Sequence, residues 1–187
     1  MDTGKGSEFR TVRGYQLANQ HAGQLTPALE DYLEMAYRLC AENGYARVGQ
    51  LSESLNVRPS SASKMIFKLS SLGYLQSDRY EIIRLTESGR ARGCFLLSRH
   101  ETVEHFLELI GSSHPLEETE LVEHTLSSAT VTALQTLNAF FTGNEEFQRQ
   151  FTVFRETTAA SETIPRLLTE ADRGEEEPLP PCKNVPT

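Results

Sequence analysis

The chain has 187 residues, a net charge of −8 and 38% hydrophobic residues, which is typical of a soluble globular protein with one domain and a smaller partner domain. No apolar run approaches the roughly 18 residues that span a bilayer, and the N-terminus lacks the basic-then-apolar order of a signal peptide, so we expect a cytoplasmic protein. The three cysteines are widely spaced without a CxxC pair, which argues against a disulfide framework or a thiolate zinc site. We expect Cys40 and Cys94 to be small core residues.

Charge is distributed unevenly along the chain. Residues 25–99 hold ten Lys or Arg against eight Asp or Glu, whereas residues 100–187 hold five against sixteen. A near-neutral to basic half can approach phosphate, while an acidic half repels phosphate and attracts cations. The two halves are therefore expected to bind different partners.

The N-terminal part of the chain predicts a tail and then a helix. Residues 1–24 are rich in Gly, Thr and Gln without apolar periodicity, which indicates a flexible tail. Thr26 and Pro27 are typical of a helix N-cap and the first helical residue. Apolar residues then recur at three- and four-residue spacing, and Gly44 ends the helix.

The next segment has the pattern of a winged helix-turn-helix. A short apolar-periodic segment over residues 48–55 is followed by a tight turn, and Pro59 opens a third helix that Gly73 closes. Residues 74–76 and 81–85 then bracket a polar turn, which predicts a small two-stranded wing.

The remaining pattern is helical. A long helix is predicted to Ile110, followed by helices that carry Leu121 to Leu126, Val131 to Phe141, and Phe147 to Phe154. These helices bury little alone, so we expect a homodimer to cover them. The fold class is therefore mainly α, with four parts. They are a tail over 1–24, a winged helix-turn-helix domain over 25–95, an all-α dimerisation domain over 96–158, and a disordered acidic Pro-rich tail over 159–187.

Carboxylates and imidazoles recur at helical spacing in three of these segments. Residues three or four apart on a helix share one face, so such pairs can point at a common neighbour. Taken singly, each also fits a solvated surface charge or a satisfied core histidine. The candidates are Asp31 and Glu34 on the first helix, His100 in the apolar stripe of the long helix, and Glu120, Glu123 and His124.

Five short motifs stand in order between residues 25 and 157. They are Leu29-Glu30-Asp31-Tyr32-Leu33-Glu34, Gly44-Tyr45-Ala46-Arg47-Val48, Pro59-Ser60-Ser61, Arg99-His100-Glu101 and the segment from Glu120 to Leu126. Their combination and spacing resemble the diphtheria toxin repressor family, and specifically its manganese transport regulator branch. The resemblance implies a dimeric winged-helix repressor of metal-uptake genes that divalent metal activates for operator binding.

The resemblance also implies a ligand set. Two Mn²⁺ ions per chain would be held by Asp31, Glu34, His100, Glu120, Glu123 and His124, with Fe²⁺ or another divalent cation as the alternative. The iron-responsive branch has methionine at the position of Asp31 and cysteine at that of Glu120, so this chain departs toward hard oxygen ligands. Four carboxylates and two neutral imidazoles balance two divalent cations and suit Mn²⁺.

The winged-helix prediction implies that a second set of residues contacts double-stranded DNA, which for a dimer is expected to be a pseudo-palindromic operator. The N-terminal residues of the third helix should enter the major groove, where lysines are better suited to phosphate than to base contacts. A wing-tip arginine fits a DNA contact and a solvated turn residue equally well. The predicted DNA-contacting residues are Pro59, Ser60, Ser61, Ser63, Lys64, Lys68 and Arg79.

Two other classes of function also use some of these features. A helical di-metal enzyme needs Glu three residues before its histidines, but the residues three before His100, His105 and His124 are Leu97, Thr102 and Leu121. The chain is therefore not expected to be an enzyme. A winged-helix regulator that answers to a small organic ligand, with the acidic residues merely solvated, stays open from the residues alone.

Overall fold

The computed structural model describes residues 25–78 and 82–160, which form a mainly helical fold. The elements are α1 (Pro27–Asn43), β1 (Ala46–Arg47), α2 (Val48–Ser54), α3 (Pro59–Ser71), β2 (Leu75–Ser77), β3 (Ile82–Leu85), α4 (Glu87–Ile110), α5 (Pro115–Val122), a 3₁₀ turn (Glu123–Thr125), α6 (Ser128–Thr142) and α7 (Glu145–Ala160). The predicted N-terminal tail lies outside the described residues. The predicted acidic tail does too from residue 161, while α7 continues to Ala160.

The first helix begins and ends where the sequence predicts. The hydroxyl of Thr26 accepts a hydrogen bond from the Leu29 amide at 3.4 Å, and Pro27 occupies the first turn. At the other end Gly44 has a φ of 76°, a left-handed conformation that glycine adopts without steric cost. Leu33 and Ala36 are fully buried, so one face of α1 forms part of the core.

The helix-turn-helix is confirmed in α2 and α3. Asn56 takes a left-handed φ of 50° in the turn between them, which is a conformation that asparagine tolerates better than most residues. Ala62, Ile66 and Leu69 of α3 are buried. Packing of this face against the core fixes the orientation of α3 and leaves its opposite face exposed.

The wing is confirmed, and the sheet is larger than predicted. Strands β2 and β3 form the antiparallel hairpin, with Leu75 opposite Leu85. A third strand, β1, pairs with β3 and places Ala46 opposite Ile83, so the order is β1-β3-β2. Two residues show no alternation from which a strand can be recognised, which is why β1 was not predicted.

The long helix α4 is confirmed, and its N-cap residue also forms a hydrogen bond with the segment that leads into the wing. The Thr86 hydroxyl accepts from the Gly89 amide at 3.0 Å and reaches the Gly73 carbonyl at 2.7 Å. Gly111 ends the helix with a φ of 84°. The helix packs along α1 and runs without a break through the predicted domain boundary between residues 95 and 96. The predicted domain limits stay a prediction.

The three predicted C-terminal helices are present as α5, α6 and α7, although Leu126 lies beyond the 3₁₀ turn in extended backbone. The described chain forms two compact units, residues 25–138 and 139–160. Within the second unit, edge-to-face contacts join Phe140, Phe141, Phe147 and Phe151, with ring centroids 5.0 to 6.2 Å apart. Among the described residues, no helix is both long and apolar enough to cross a membrane.

The two cysteines of the described residues differ in environment. Cys40 is buried as predicted, and its thiol lies 3.7 Å from the Ile83 carbonyl. Cys94 is exposed, so its prediction as a core residue is wrong. The adjacent Gly93 is the buried residue at that turn of α4, because it lies against the Tyr37 ring.

The close approach at Gly89 gives a stability prediction. A methyl group there would overlap the Tyr74 carbonyl oxygen, which belongs to the backbone and cannot move independently. We expect Gly89→Ala to lower the free energy of unfolding by about 1–3 kcal/mol, measured by urea denaturation. Gly49→Ala in α2 is the control, since nothing lies within 4 Å of its added methyl, and it should be neutral or stabilising by up to about 1 kcal/mol. Equal effects of the two substitutions would contradict the packing argument.

Candidate metal centre

Three segments of the first unit bring acidic side chains and histidines into one cluster. Helix α1 contributes Asp31 and Glu34, and the middle of α4 contributes His100. The end of α5 contributes Glu120, and the following 3₁₀ turn contributes Glu123 and His124. The turn differs from the continuous helix that was predicted there, but it keeps these three residues on the side that meets α1 and α4.

One half of the cluster surrounds the Nδ1 atom of His100. This atom lies 3.4 Å from Glu123 Oε2 and 3.8 Å from Glu120 Oε1. Glu34, His100 and Glu123 each offer one ligand atom, and these three atoms lie within 4.8 Å of one another. All three residues are buried, so the group is shielded from water.

The other half surrounds the Nε2 atom of His124. This atom lies 3.0 Å from Asp31 Oδ1 and 3.7 Å from Glu123 Oε1. Glu123 therefore directs one carboxylate oxygen toward each histidine.

All six residues predicted as metal ligands thus lie in one cluster, although their role as ligands stays a prediction. Their exposure differs: the side chains of Glu120 and Asp31 are 57% and 41% exposed, while Glu123 is 2% exposed. The cluster therefore has a buried floor and an open rim. An ion could enter from solvent on the side of Asp31 and Glu120.

The atoms at the floor fit a divalent cation. In the part of the chain that the structure describes, His100 Nδ1 and Glu123 Oε2 are buried without a hydrogen-bond partner. Burial of an unpaired polar group costs about 1–3 kcal/mol, so two such atoms facing each other call for a ligand between them. The set is all oxygen and nitrogen, and neither Cys40 nor Cys94 belongs to it. Such a set suits Mn²⁺ more than a thiol-preferring metal.

Protons and arginines balance the carboxylates of this cluster. The close approach and charge of the Glu123 carboxylate raise the pKa of His100 against the opposing effect of burial. Burial lowers the pKa of His124, but hydrogen bonds to Asp31 and Glu30 outweigh it and bring the pKa to about 9. Burial and the charge of Glu123 raise the pKa of Glu120. Metal ligation requires neutral imidazole and ionised carboxylate, so protons and metal ions compete for these side chains.

Sequence reasoning missed three residues beside the cluster: Glu30, Arg92 and Arg99. Glu30 is buried and lies within 3.0 Å of both arginines. Burial raises its pKa, but the His124 hydrogen bond and the Arg99 charge more than offset this and bring it to about 2. The sequence did contain a sign of this contact. Arg92 and Arg99 are seven residues apart, which places them on one face of α4, and Glu30 lies on the carboxylate-bearing helix α1.

The residues predicted to contact DNA lie on the exposed side of α3, but their contacts with DNA stay a prediction. Arg79 lies outside the described residues. Phe67 was missed; it is 75% exposed and lies one turn beyond Lys64 on the same side of α3. The exposed predicted residues of this helix are Pro59, Ser60, Ser61, Ser63, Lys64 and Lys68.

Two domain families match this chain, and together they cover the regions that contain the helix-turn-helix and the acidic cluster. The N-terminal DNA-binding domain of iron dependent repressors matches residues 24–82. The metal binding and dimerisation domain of iron dependent repressors matches residues 86–150. Together these matches extend over both the helix-turn-helix and the acidic cluster.

Individual relatives are similar over most of their length. The HTH-type transcriptional regulator MntR of Shouchella clausii is 40% identical over 122 residues, which is 64% of this chain and 85% of the relative. The MntR of Geobacillus kaustophilus is 39% identical over 139 residues, or 73% of this chain and 96% of the relative. These relatives are regulators, in agreement with the rejection of an enzyme.

A solved structure supports the fold. The manganese regulator SloR is 28% identical with a TM-score of 0.53, over 60% of this chain and 54% of that chain. This chain therefore spans about half the length of that structure. The family matches, the identities and the shared fold show that the chain belongs to the diphtheria toxin repressor family of metal-dependent transcriptional regulators, in the manganese regulator branch.

Proposed function

We propose that this regulator binds its operator as a homodimer when two Mn²⁺ ions occupy the cluster, and that it represses metal-uptake genes. The observation that carries the proposal is a cluster of six oxygen- and nitrogen-bearing side chains where α1 meets α4, the end of α5 and the 3₁₀ turn. Because such a regulator must reach chromosomal DNA, the proposal includes the predicted cytoplasmic location.

Charge and geometry favour two ions. Four ionised carboxylates and two neutral imidazoles carry about four negative charges, which two divalent cations balance. Glu123 presents Oε2 to His100 and Oε1 to His124, at 3.4 and 3.7 Å. The two histidines thus define two subsites that share one carboxylate.

The position of α1 explains how metal would control DNA binding. This helix supplies Asp31 and Glu34 to the cluster and packs against α3, the recognition helix. Metal would fix α1 to α4 and the 3₁₀ turn, and with them the separation of two recognition helices in a dimer. The two half-sites of an operator lie about one helical turn of DNA apart, so both recognition helices can bind only when their separation matches that distance. Exposed apolar residues such as Leu121 and Val122 support a partner subunit.

Replacement of His100 tests the metal switch. We expect Mn²⁺ to tighten binding of the wild-type protein to a selected operator duplex, measured by fluorescence anisotropy. His100→Ala should lose this response, because a ligand is removed while the apolar packing around it mostly remains. His105→Ala is the control, since that side chain is on the same helix but 44% exposed and outside the cluster, and it should respond normally. A normal Mn²⁺ response of folded His100→Ala would exclude His100 as a ligand.

Asp31 and Glu120 are predicted to set metal selectivity. Mn²⁺ is among the weakest binders of the first-row divalent series at a shared site, so selectivity must come from geometry and ligand type. Asp31→Met with Glu120→Cys removes two charges and adds softer donors. The double variant should favour one ion, respond better to Fe²⁺ and lose its preference for Mn²⁺. The measurement is operator binding at controlled free Mn²⁺, Fe²⁺ and Zn²⁺; an unchanged ranking would show that other residues determine selectivity.

Lys64 and Lys68 are predicted to contact phosphate. Removal of one phosphate contact lowers the slope of log affinity against log salt by about one. We expect this change for Lys64→Ala and for Lys68→Ala, and no change for Arg155→Ala on α7. A lysine whose replacement leaves the slope unchanged does not contact the phosphate backbone.

A further inference from the structure

A second polar cluster lies beside the six predicted ligands. Its centre is the carboxylate of Glu30, which accepts from Arg92 at 2.5 Å through Oε1 and from Arg99 at 2.9 Å through Oε2. The Nδ1 atom of His124 lies 3.0 Å from the same Oε2. We call these four residues the Glu30 cluster.

The Glu30 cluster has a fixed geometry. Glu30 is 6% exposed and Arg99 is 3% exposed, so neither side chain can reorient into water. Two guanidinium groups, seven residues apart on α4, hold the two oxygens of one carboxylate. Removal of one partner would leave an uncompensated buried charge, so the ion pair persists in the folded protein.

Glu30 and its neighbour Asp31 enclose the His124 ring from two sides. Nδ1 faces Glu30, and Nε2 faces Asp31 at 3.0 Å. A neutral imidazole has one N–H and one lone pair, and only the nitrogen with the lone pair can bind a metal. The group that pairs with Nδ1 therefore decides whether Nε2 is available.

Two groups compete for Nδ1. Glu30 Oε2 is 3.0 Å away and Arg99 NH2 is 3.1 Å away. A carboxylate can only accept, which places the proton on Nδ1 and leaves the lone pair on Nε2. A guanidinium can only donate, which would place the proton on Nε2 and block that atom.

We propose that Glu30 is a positioning residue of the metal centre, which accepts the Nδ1 proton of His124 and so directs the Nε2 lone pair toward Asp31 and Glu123. The inference rests on the proposed metal site. A carboxylate that accepts the second N–H of a histidine ligand fixes both its tautomer and its ring orientation. Arg92 and Arg99 donate to Glu30 and hold it in place, and Oε2 of the carboxylate can still accept the Nδ1 proton of His124.

The direct test is the protonation of His124 in a metal-loaded protein. The probe is Cd²⁺, a diamagnetic ion that allows imidazole ¹⁵N resonances to be recorded. In the wild-type protein we expect Cd²⁺ to shift Nε2 of His124 while Nδ1 keeps its proton. A proton on Nε2 in the Cd²⁺ complex would overturn the proposal, because Arg99 would then be the partner of Nδ1.

Substitution of Glu30 gives the second measurement. Loss of such a carboxylate weakens metal binding by about 10- to 100-fold, and we expect Glu30→Gln to do so for Mn²⁺ measured by competition with a chelator. Because Glu30→Gln removes one of the two carboxylates that pair with Arg99, the double variant Glu30→Gln with Arg99→Met is measured beside it and should show the same loss. Glu42→Gln, an exposed residue on α1, is the control and should bind Mn²⁺ like the wild-type protein.

The outcomes separate this inference from the proposed function. Wild-type Mn²⁺ affinity in the folded double variant would overturn the positioning role of Glu30 and leave the metal site intact. If Cd²⁺ shifts neither nitrogen of His124 in the wild-type protein, His124 is not a ligand, and the proposed site fails together with the role of Glu30. If Glu30 has only a structural role, its replacement should lower the unfolding temperature without changing the ¹⁵N shifts of His124, and that result would overturn the proposal.

Discussion

The architecture depends on the burial of one carboxylate, that of Glu123, where three segments meet. A carboxylate removed from water is stable only when cations or hydrogen-bond donors replace its hydration. His100, His124 and Arg99 lie between 3.4 and 3.7 Å from its oxygens. Two of these groups belong to α4 and one to the 3₁₀ turn, so neutralising a single buried charge fixes the turn against the long helix. Asp31 extends the same arrangement to α1 through its contact with His124.

Helix α1 connects this charge balance to the recognition helix. Its residues Leu33 and Ala36 belong to the same hydrophobic core as Ile66 of α3, while Asp31 and Glu34 face the histidines. Protein cores are close-packed, so a displacement of α1 cannot be absorbed without moving its neighbours. The helix that supplies Asp31 and Glu34 to the acidic cluster is therefore also a helix that supports α3. On the proposed function, this shared helix would couple metal binding to DNA binding without a further relay.

Features set by local chemistry were predictable from the sequence. Thr26 caps α1, and Gly44 ends it in a left-handed conformation, as the residue types indicated. The pairing of Ala46 with Ile83 was not predictable, since tertiary packing sets it and a two-residue strand has no periodicity. The contacts of Glu30 were missed because its partners lie 62, 69 and 94 residues away. The six candidate ligands come from equally distant segments; the family resemblance supplied the long-range information that spacing alone lacks.

Arg38 and Arg99 both neutralise α1 carboxylates, but they differ in how easily a metal ion could replace them. Arg38 donates to Glu34 at 2.7 and 3.0 Å from one turn further along α1, and its side chain is 38% exposed. Arg38 can withdraw into water if a cation takes its place at Glu34, because its guanidinium is partly exposed. Arg99 is 3% exposed and cannot leave without stranding the buried charge of Glu30. On the proposed function, a cation at Glu34 would therefore displace Arg38 and leave the pair of Arg99 and Glu30 in place. Metal binding would then exchange one ion pair without rebuilding the Glu30 cluster.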